Sequence, residues 1–82
     1  MSWTEKSNRL TKVFTLQSFD EIILKLVLIA KEANAQKHHP DFSVENYNQI
    51  TFWLWTHDEG KVTDKDYKLS QQIASIIESQ NF

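Results

Sequence analysis

Three histidines and one aspartate are the side chains of this sequence best suited to proton transfer. His38 and His39 directly precede Pro40, whereas His57 and Asp66 lie further along the chain. Imidazole has an ordinary pKa of ~6.5, so two imidazoles can act as acid and base near neutral pH. The alternative is a purely structural role, in which the His-His-Pro segment only ends a helix and Asp66 only caps the next one.

A metal site is a second interpretation of the same residues. Three histidines and an aspartate can bind zinc, but these lack the i, i+3 or i, i+4 spacing of ligands on one helix. The sequence has no calcium-loop spacing, glycine-rich phosphate loop or G-x-S-x-G motif. The metal site therefore has less weight than acid–base chemistry.

Alternating and helical patterns predict the elements that position these residues. Leu10, Phe14 and Leu16 share one face, which predicts a strand over residues 10–16. A preceding strand would turn near Ser7 and Asn8, with Trp3 over one end of the core. Strict alternation from Tyr47 to His57 predicts the clearest strand, and Asp41 to Asn46 its antiparallel partner, in which Phe42 and Val44 share a face.

Two amphipathic helices complete the pattern. Ser18 and Glu21 form a capping box for the first, in which Lys25 falls on the polar side. Its predicted core face consists of Ile22, Ile23, Leu26, Ile29, Ala30 and Ala33. Leu24 and Leu28 form a second apolar strip, covered either by the chain's own loops or by another subunit. The second helix starts at Thr63, with Asp66 at its third position, and its apolar face consists of Leu69, Ile73, Ile76 and Ile77.

This order of elements predicts an α+β fold in which two helices pack on one face of a four-stranded antiparallel sheet, β-β-α-β-β-α. The face left open would carry Trp53, Trp55 and Tyr47. Such a patch predicts self-association, with a foreign partner or local coverage by side chains such as Lys12 as alternatives.

Composition excludes several classes of protein. The 82 residues predict a single domain over 1–82, and 40% hydrophobic residues with ten aromatic rings predict a folded chain. The absence of cysteine excludes disulfides and thiolate metal sites, and a net charge of −2 argues against nucleic acid as a ligand. The most apolar stretch, Ile22 to Ala30, is shorter than the ~20 residues that span a bilayer. The first residues lack a signal-peptide core, so we expect a soluble, cytoplasmic protein without a membrane partner.

The segment KHHPDFSVENYNQITFWLWTH, with Asp66 nine residues after its last histidine, resembles the signature of pterin-4a-carbinolamine dehydratases. The shared features are a His-His-Pro turn, an aromatic-Asn pair, an alternating strand that ends in Thr-His-Asp, and a Thr-x-x-Asp segment. The resemblance covers nearly the whole chain, because it also includes Trp3, the LTKVFTL strand and Phe19 of the first helix.

The resemblance implies dehydration of 4a-hydroxytetrahydropterin to quinonoid dihydropterin in tetrahydrobiopterin recycling, with no metal or organic cofactor. It implies that His38 and His57 act as acid and base, that His39 helps to hold the pterin, and that Asp66 orients or charges the neighbouring His57. Asn34 stands where family members commonly carry Glu. The substrate-binding residues that it implies are His39, Pro40, Asn34, Thr56 and Asp58.

The resemblance also implies a homodimer or homotetramer. It leaves two other functions open. One is a non-catalytic binding module that regulates a protein partner, as animal members do with the dimerisation segment of a transcription factor. The other is a related pterin role, such as one in molybdopterin metabolism.

Overall fold

The chain forms strands and helices in the order that its hydrophobic periodicity predicts. The computed structural model describes residues 3–79. Its elements are β1 (Thr4–Lys6), β2 (Arg9–Thr15), α1 (Phe19–Gln36), β3 (Asp41–Glu45), β4 (Gln49–Leu54) and α2 (Asp64–Glu78). The strands form one antiparallel sheet in the order β1-β2-β4-β3. Side chains from both helices and the two central strands share one core, so the predicted α+β class is confirmed.

The central strands β2 and β4 supply the sheet side of this core. Leu10 lies opposite Leu54 in the register, so the alternating side chains of both strands enter the same layer. Phe52 is fully buried at the centre, with its ring centroid 6.0 Å from that of Phe14 and 6.3 Å from that of Trp3. Trp3 thus covers one end of the core, as predicted. Burial of each such side chain contributes about 1.5 to 3 kcal/mol to stability.

Residues in the left-handed backbone conformation form the two hairpin turns. Ser7 and Asn8 have φ angles of 54° and 63°, which suits the tight turn predicted between β1 and β2. Asn46 and Tyr47 have φ angles of 52° and 58° between β3 and β4. The predicted strand from Tyr47 is therefore too long at its start, because a residue with this φ cannot pair in a sheet, and β4 begins at Gln49.

The start of α1 follows its capping signal with one difference. Ser18 is the N-cap, and its side chain accepts a hydrogen bond from the backbone N–H of Glu21 at 3.1 Å. The Glu21 carboxylate accepts from the backbone N–H of Gln17 at 2.9 Å, whereas a capping box would use the N–H of Ser18. The Ser18 hydroxyl thus satisfies one first-turn donor that lacks a helical partner, and the Glu21 carboxylate satisfies the donor of the residue before the N-cap.

The buried face of α1 differs from the predicted one. Lys25, predicted on the polar side, is fully buried, and Ile23, predicted in the core, is 45% exposed. Lys25 Nζ donates to the backbone carbonyls of Ile76 at 2.9 Å and Ser79 at 2.6 Å. These carbonyls lie at the C-terminal end of α2, where acceptors lack helical partners and the helix dipole favours a cation. The prediction was wrong because this end of α2 lies beside α1, which sequence periodicity does not reveal.

The second apolar strip of α1 is exposed. Leu24 and Leu28 retain 48% and 37% of their accessible surface, so within residues 3–79 the chain's own loops do not cover them. We call the exposed apolar surface of this helix the outer face of α1, and it consists of Phe19, Ile23, Leu24, Val27 and Leu28. Neither helix, in the part of the chain described, is long and apolar enough to cross a membrane.

Candidate active site

The three histidines lie around one cleft. The cleft has a volume of about 240 Å³ and forms where the end of α1, the end of β4 and the start of α2 meet. His38, His39 and His57 all line it, although 18 residues separate the last two in the sequence. The other lining residues are Lys37, Trp55, Thr56, Asp58 and Lys65.

The end of α1 aims the first histidines at the cleft. Lys37 adopts the left-handed conformation, with φ 56°, and its backbone N–H bonds to the carbonyl of Asn34. The N–H of His38 then bonds to the carbonyl of Ala33 at 3.1 Å, which closes the helix. The chain reverses at this point, so the next side chains point away from the helix axis and into the cleft.

A buried carboxylate holds His38. The Asp66 side chain is fully buried, and its Oδ1 lies 2.5 Å from His38 Nε2. Asp66 Oδ2 accepts from the hydroxyl of Thr56 at 2.8 Å and from the backbone N–H of Thr63 at 2.9 Å. Because the single Thr56 proton is used here, the Thr63 hydroxyl donates to Thr56 Oγ1, 2.6 Å away. The buried Asp66 carboxylate thus accepts hydrogen bonds from His38, Thr56 and Thr63, which compensate for its loss of solvent.

The predicted pairing of Asp66 with His57 is wrong, because Asp66 contacts His38. The reason is the alternation at the end of β4, where Thr56 points inward and is 4% exposed while His57 points outward. Asp66 comes from α2 on the inner side, so it meets Thr56. The predicted strand also ends earlier than His57, because β4 stops at Leu54 and a turn follows.

A tight loop connects His57 to α2. Thr56 pairs with Lys61 in an isolated bridge, and Gly60 N–H donates to the Thr56 carbonyl at 2.8 Å. Gly60 has φ +65°, a conformation that other residues adopt at a cost. The Thr56 carbonyl and N–H are both bonded within this loop, and its hydroxyl is bonded to Asp66. All three polar groups of this predicted substrate-binding residue therefore stabilise the site itself.

The remaining predicted binding residues lie on two sides of His39. His39 Nε2 donates to Asn34 Oδ1 at 2.8 Å. Both residues also line an apolar groove of about 400 Å³ between α1 and β3, together with Pro40 and Phe42. Asp58 lines the histidine cleft instead. His39 is thus the residue shared by the cleft and the groove.

Trp55 is a site residue that sequence reasoning placed elsewhere. The prediction put it in an aromatic patch on the open sheet face, but its ring lines the cleft and lies 4.4 Å from the ring of His57, centroid to centroid. Tyr47 lies in the β3–β4 turn rather than in β4. The i, i+2 spacing of Trp55 and His57 was the signal that could have shown their contact. Lys12, named as possible cover, lies over the ring of Phe14 instead.

Acid–base chemistry is what the cleft can support. Imidazoles from two chain segments face a common space, and one of them is paired with a carboxylate. Among residues 3–79, no three His, Asp or Glu side chains are arranged to hold a metal ion. Fold and site together define a small α+β protein in which three histidines line one cleft.

Comparison with known proteins identifies the family. The sequence profile described as pterin 4 alpha carbinolamine dehydratase matches residues 1–76. A relative from Roseiflexus castenholzii, provisionally named pterin-4-alpha-carbinolamine dehydratase, is 41% identical over 92% of this chain and 80% of its own length. A relative of the same provisional name from Christiangramia forsetii is 38% identical over 96% of this chain and 80% of its own. The chain belongs to the pterin-4a-carbinolamine dehydratase family.

Solved structures agree with the fold. A transcriptional coactivator/pterin dehydratase from Brucella melitensis superposes with a TM-score of 0.82 at 25% identity, covering 93% of this chain and 80% of that one. A pterin dehydratase-like protein described as a RuBisCO assembly factor in the alpha-carboxysome superposes with a TM-score of 0.80 at 17% identity. That pair covers 98% of this chain and 94% of the other, and it shows a shared fold.

Proposed function

We propose that this protein dehydrates 4a-hydroxytetrahydropterin to quinonoid dihydropterin, with tetrahydrobiopterin recycling in the cytoplasm as the setting. The observation that carries the proposal is the convergence of His38, His39 and His57 on one cleft above a buried Asp66. Membership of the dehydratase family supports the choice of substrate.

The reaction needs one proton delivered and one removed. The bond between C4a and its hydroxyl oxygen breaks, and a proton on that oxygen lets it leave as water. N5 loses its proton, and the electron pair of the N–H bond forms the double bond between N5 and C4a. Each positioned proton transfer contributes about 10² to 10⁴ in rate.

His38 is the better placed base. Its Nε2 is bonded to Asp66, which leaves Nδ1 as the nitrogen with a free lone pair when the ring is neutral. When Nδ1 takes the N5 proton, the ring becomes positive, and the adjacent carboxylate stabilises that charge. His57 then donates the proton to the leaving hydroxyl. Neither step uses a metal or an organic cofactor.

The pterin is held by the residues around His39. Asn34 presents an amide at the junction of cleft and groove, and an amide offers one acceptor and one donor to the edge of a heterocycle. Pro40 supplies an apolar wall, and Asp58 adds an acceptor at the cleft.

The test is a coupled assay with purified protein. An aromatic amino acid hydroxylase generates the carbinolamine, and the absorbance of quinonoid dihydropterin is followed with and without the protein. We expect acceleration above the spontaneous rate, a bell-shaped pH profile, and loss of one limb each in His38→Ala and His57→Ala. Near-normal turnover in both variants would refute the acid–base roles, and no acceleration by the wild-type protein would refute the dehydratase proposal.

Association of two copies through the outer face of α1 is part of the proposal. An antiparallel pair of these helices would place Leu24 opposite Val27 of the second copy, so that two exposed apolar faces cover each other. The same register would place Asp20 opposite Lys31 of the second copy, an attractive pair at each end.

Sedimentation equilibrium tests this interface. Val27→Glu should shift the protein towards monomer, whereas Val13→Glu, at an equally exposed valine of the sheet, should not. Asp20→Lys and Lys31→Asp should each weaken association, and the double exchange should restore it. Unchanged mass in Val27→Glu would eliminate this interface.

A second candidate function is a binding module that regulates a protein partner. The exposed outer face of α1 favours it, because an apolar surface of this kind is typical of an interaction site. The Brucella structure also carries a coactivator description. No acceleration above the spontaneous rate in the carbinolamine assay would favour this function over catalysis.

A further inference from the structure

His57 differs from the other two histidines in how it is held. His38 is bonded to Asp66 and His39 to Asn34, so each ring has a polar partner that fixes its orientation. Among the described residues, no hydrogen bond reaches the ring of His57, which lies on the exposed side of the loop after β4. Its position must therefore come from packing.

The packing partner is Trp55. The two rings meet edge to face, with centroids 4.4 Å apart and planes inclined by 63°. Aromatic rings prefer this arrangement, which contributes beyond the area it buries. The two residues are two positions apart just after β4, on either side of Thr56, which forms an isolated bridge with Lys61. The bridge gives the backbone a strand-like conformation at Thr56, so its two neighbours project to the same side.

Trp55 is itself held from two neighbouring strands. The guanidinium of Arg9, at the start of β2, lies 5.2 Å from the centroid of the indole, within cation–π range. The indole Nε1 donates to Asp41 Oδ2, at the start of β3, across a long 3.4 Å. Arg9 and Asp41 thus fix the indole on both sides of β4.

We propose that Trp55 is the positioning residue for His57, and that Arg9 and Asp41 act through it; this inference rests on the proposed dehydratase function. An imidazole held by an aromatic contact keeps both nitrogens available, so it can deliver a proton and be reprotonated without breaking a hydrogen bond within the protein. A ring held by a carboxylate, like that of His38, has one nitrogen occupied. The two catalytic histidines are therefore held in different ways that suit different roles.

Steady-state kinetics on Trp55 variants separate positioning from simple binding. Removal of the ring in Trp55→Leu should lower kcat about 10- to 100-fold, because misplacing a reacting group by about 1 Å costs about 10²-fold. Trp55→Phe, which keeps an aromatic contact, should retain more activity. If Trp55 only formed a wall for the pterin, Trp55→Leu would raise KM and leave kcat unchanged. That result would overturn the proposal.

A spectroscopic readout makes the inference independent of turnover. The indole ring current displaces the ring-proton resonances of His57, so Trp55→Leu should move those resonances more than those of His38 and His39. Arg9→Gln, which removes a contact outside the cleft, should move them in the same direction and lower kcat about two- to fivefold. Trp53→Phe is the matched control, because Trp53 lies on β4 but does not line the cleft.

The outcomes distinguish the two proposals. Unchanged His57 resonances in Trp55→Leu would overturn the positioning inference even if the protein is an active dehydratase. If the wild-type protein does not accelerate dehydration but both Trp55→Leu and Arg9→Gln displace the His57 resonances, the proposed function is refuted and the support of His57 by Trp55 still stands.

Discussion

Replacing Asp66 with Asn should disable the site without removing its shape. The Asp66 oxygens accept from Thr56, from the backbone N–H of Thr63 and from His38. In Asn one oxygen becomes an amino group. If the remaining oxygen keeps the two donors on the Oδ2 side, the amino group faces His38 Nε2 and needs an acceptor there. His38 must then carry its proton on Nδ1, the nitrogen that faces the substrate in our proposal.

The size of the effect follows from these contacts. Loss of the base should lower kcat about 10² to 10⁴-fold. Three hydrogen bonds to a charged acceptor become neutral or are lost, at about 1 kcal/mol each, and relief from burying the charge offsets part of that cost. The free energy of unfolding should therefore fall by only about 1 to 2 kcal/mol, and the protein should stay folded at 25 °C.

Two measurements check this prediction. The coupled dehydratase assay gives kcat, and nitrogen chemical shifts of the His38 ring report which nitrogen carries the proton. Asp64→Asn, the same change at an exposed position in the first turn of α2, is the control and should leave both unchanged. A folded Asp66→Asn protein with kcat within about threefold of wild type, or with an unaltered His38 tautomer, would refute the reasoning.

Three further predictions concern stability and titration. Lys25→Met should lower the free energy of unfolding by about 2 kcal/mol in urea titrations, because it leaves the last carbonyls of α2 without their donor, whereas Lys68→Met on the exposed side of α2 should change it little. Phe52→Ala should cost about 3 to 5 kcal/mol in the same experiment, since this ring is fully buried between three others. The Tyr67 hydroxyl donates to the Glu5 carboxylate at 3.2 Å, and this bond and the negative charge of Glu5 raise the pKa of Tyr67 above 10.0. The contribution of this bond to stability is present below pH 10.0 and is lost as pH rises through the raised pKa. Glu5→Gln should bring that pKa back down, as followed by the ring resonances of Tyr67, and an unchanged titration would contradict this assignment.

The order and type of the elements were predictable because they depend on local patterns. Period-two alternation in Ile50, Phe52 and Leu54 and helical spacing in Leu69 and Ile73 both correspond to fully or almost fully buried side chains. The ends of the elements were less predictable. Asn46 and Tyr47 both take positive φ values; Asn adopts this conformation readily, but tyrosine has no such preference that would have placed Tyr47 in the turn.

The predicted candidate-site residues were read directly from the sequence, but their pairing was not. The residue types at His38, His57 and Asp66 and their resemblance to a dehydratase signature were enough to name them. Which histidine meets the carboxylate depended on the inward side chain at Thr56, and therefore on where β4 ends. An error of one residue in a strand reverses the direction of every side chain, so the pairing could not be derived from spacing.

The sequence by itself determined the fold class, the strand and helix order and the residue types available for chemistry, because hydrophobic periodicity, capping residues and residue types act over a few positions. Tertiary structure alone decided the burial of Lys25 and the bond from His38 to Asp66. Each of these contacts joins elements that are far apart in the sequence and whose relative placement comes from packing the whole core, and that placement is not encoded in any short stretch of the chain.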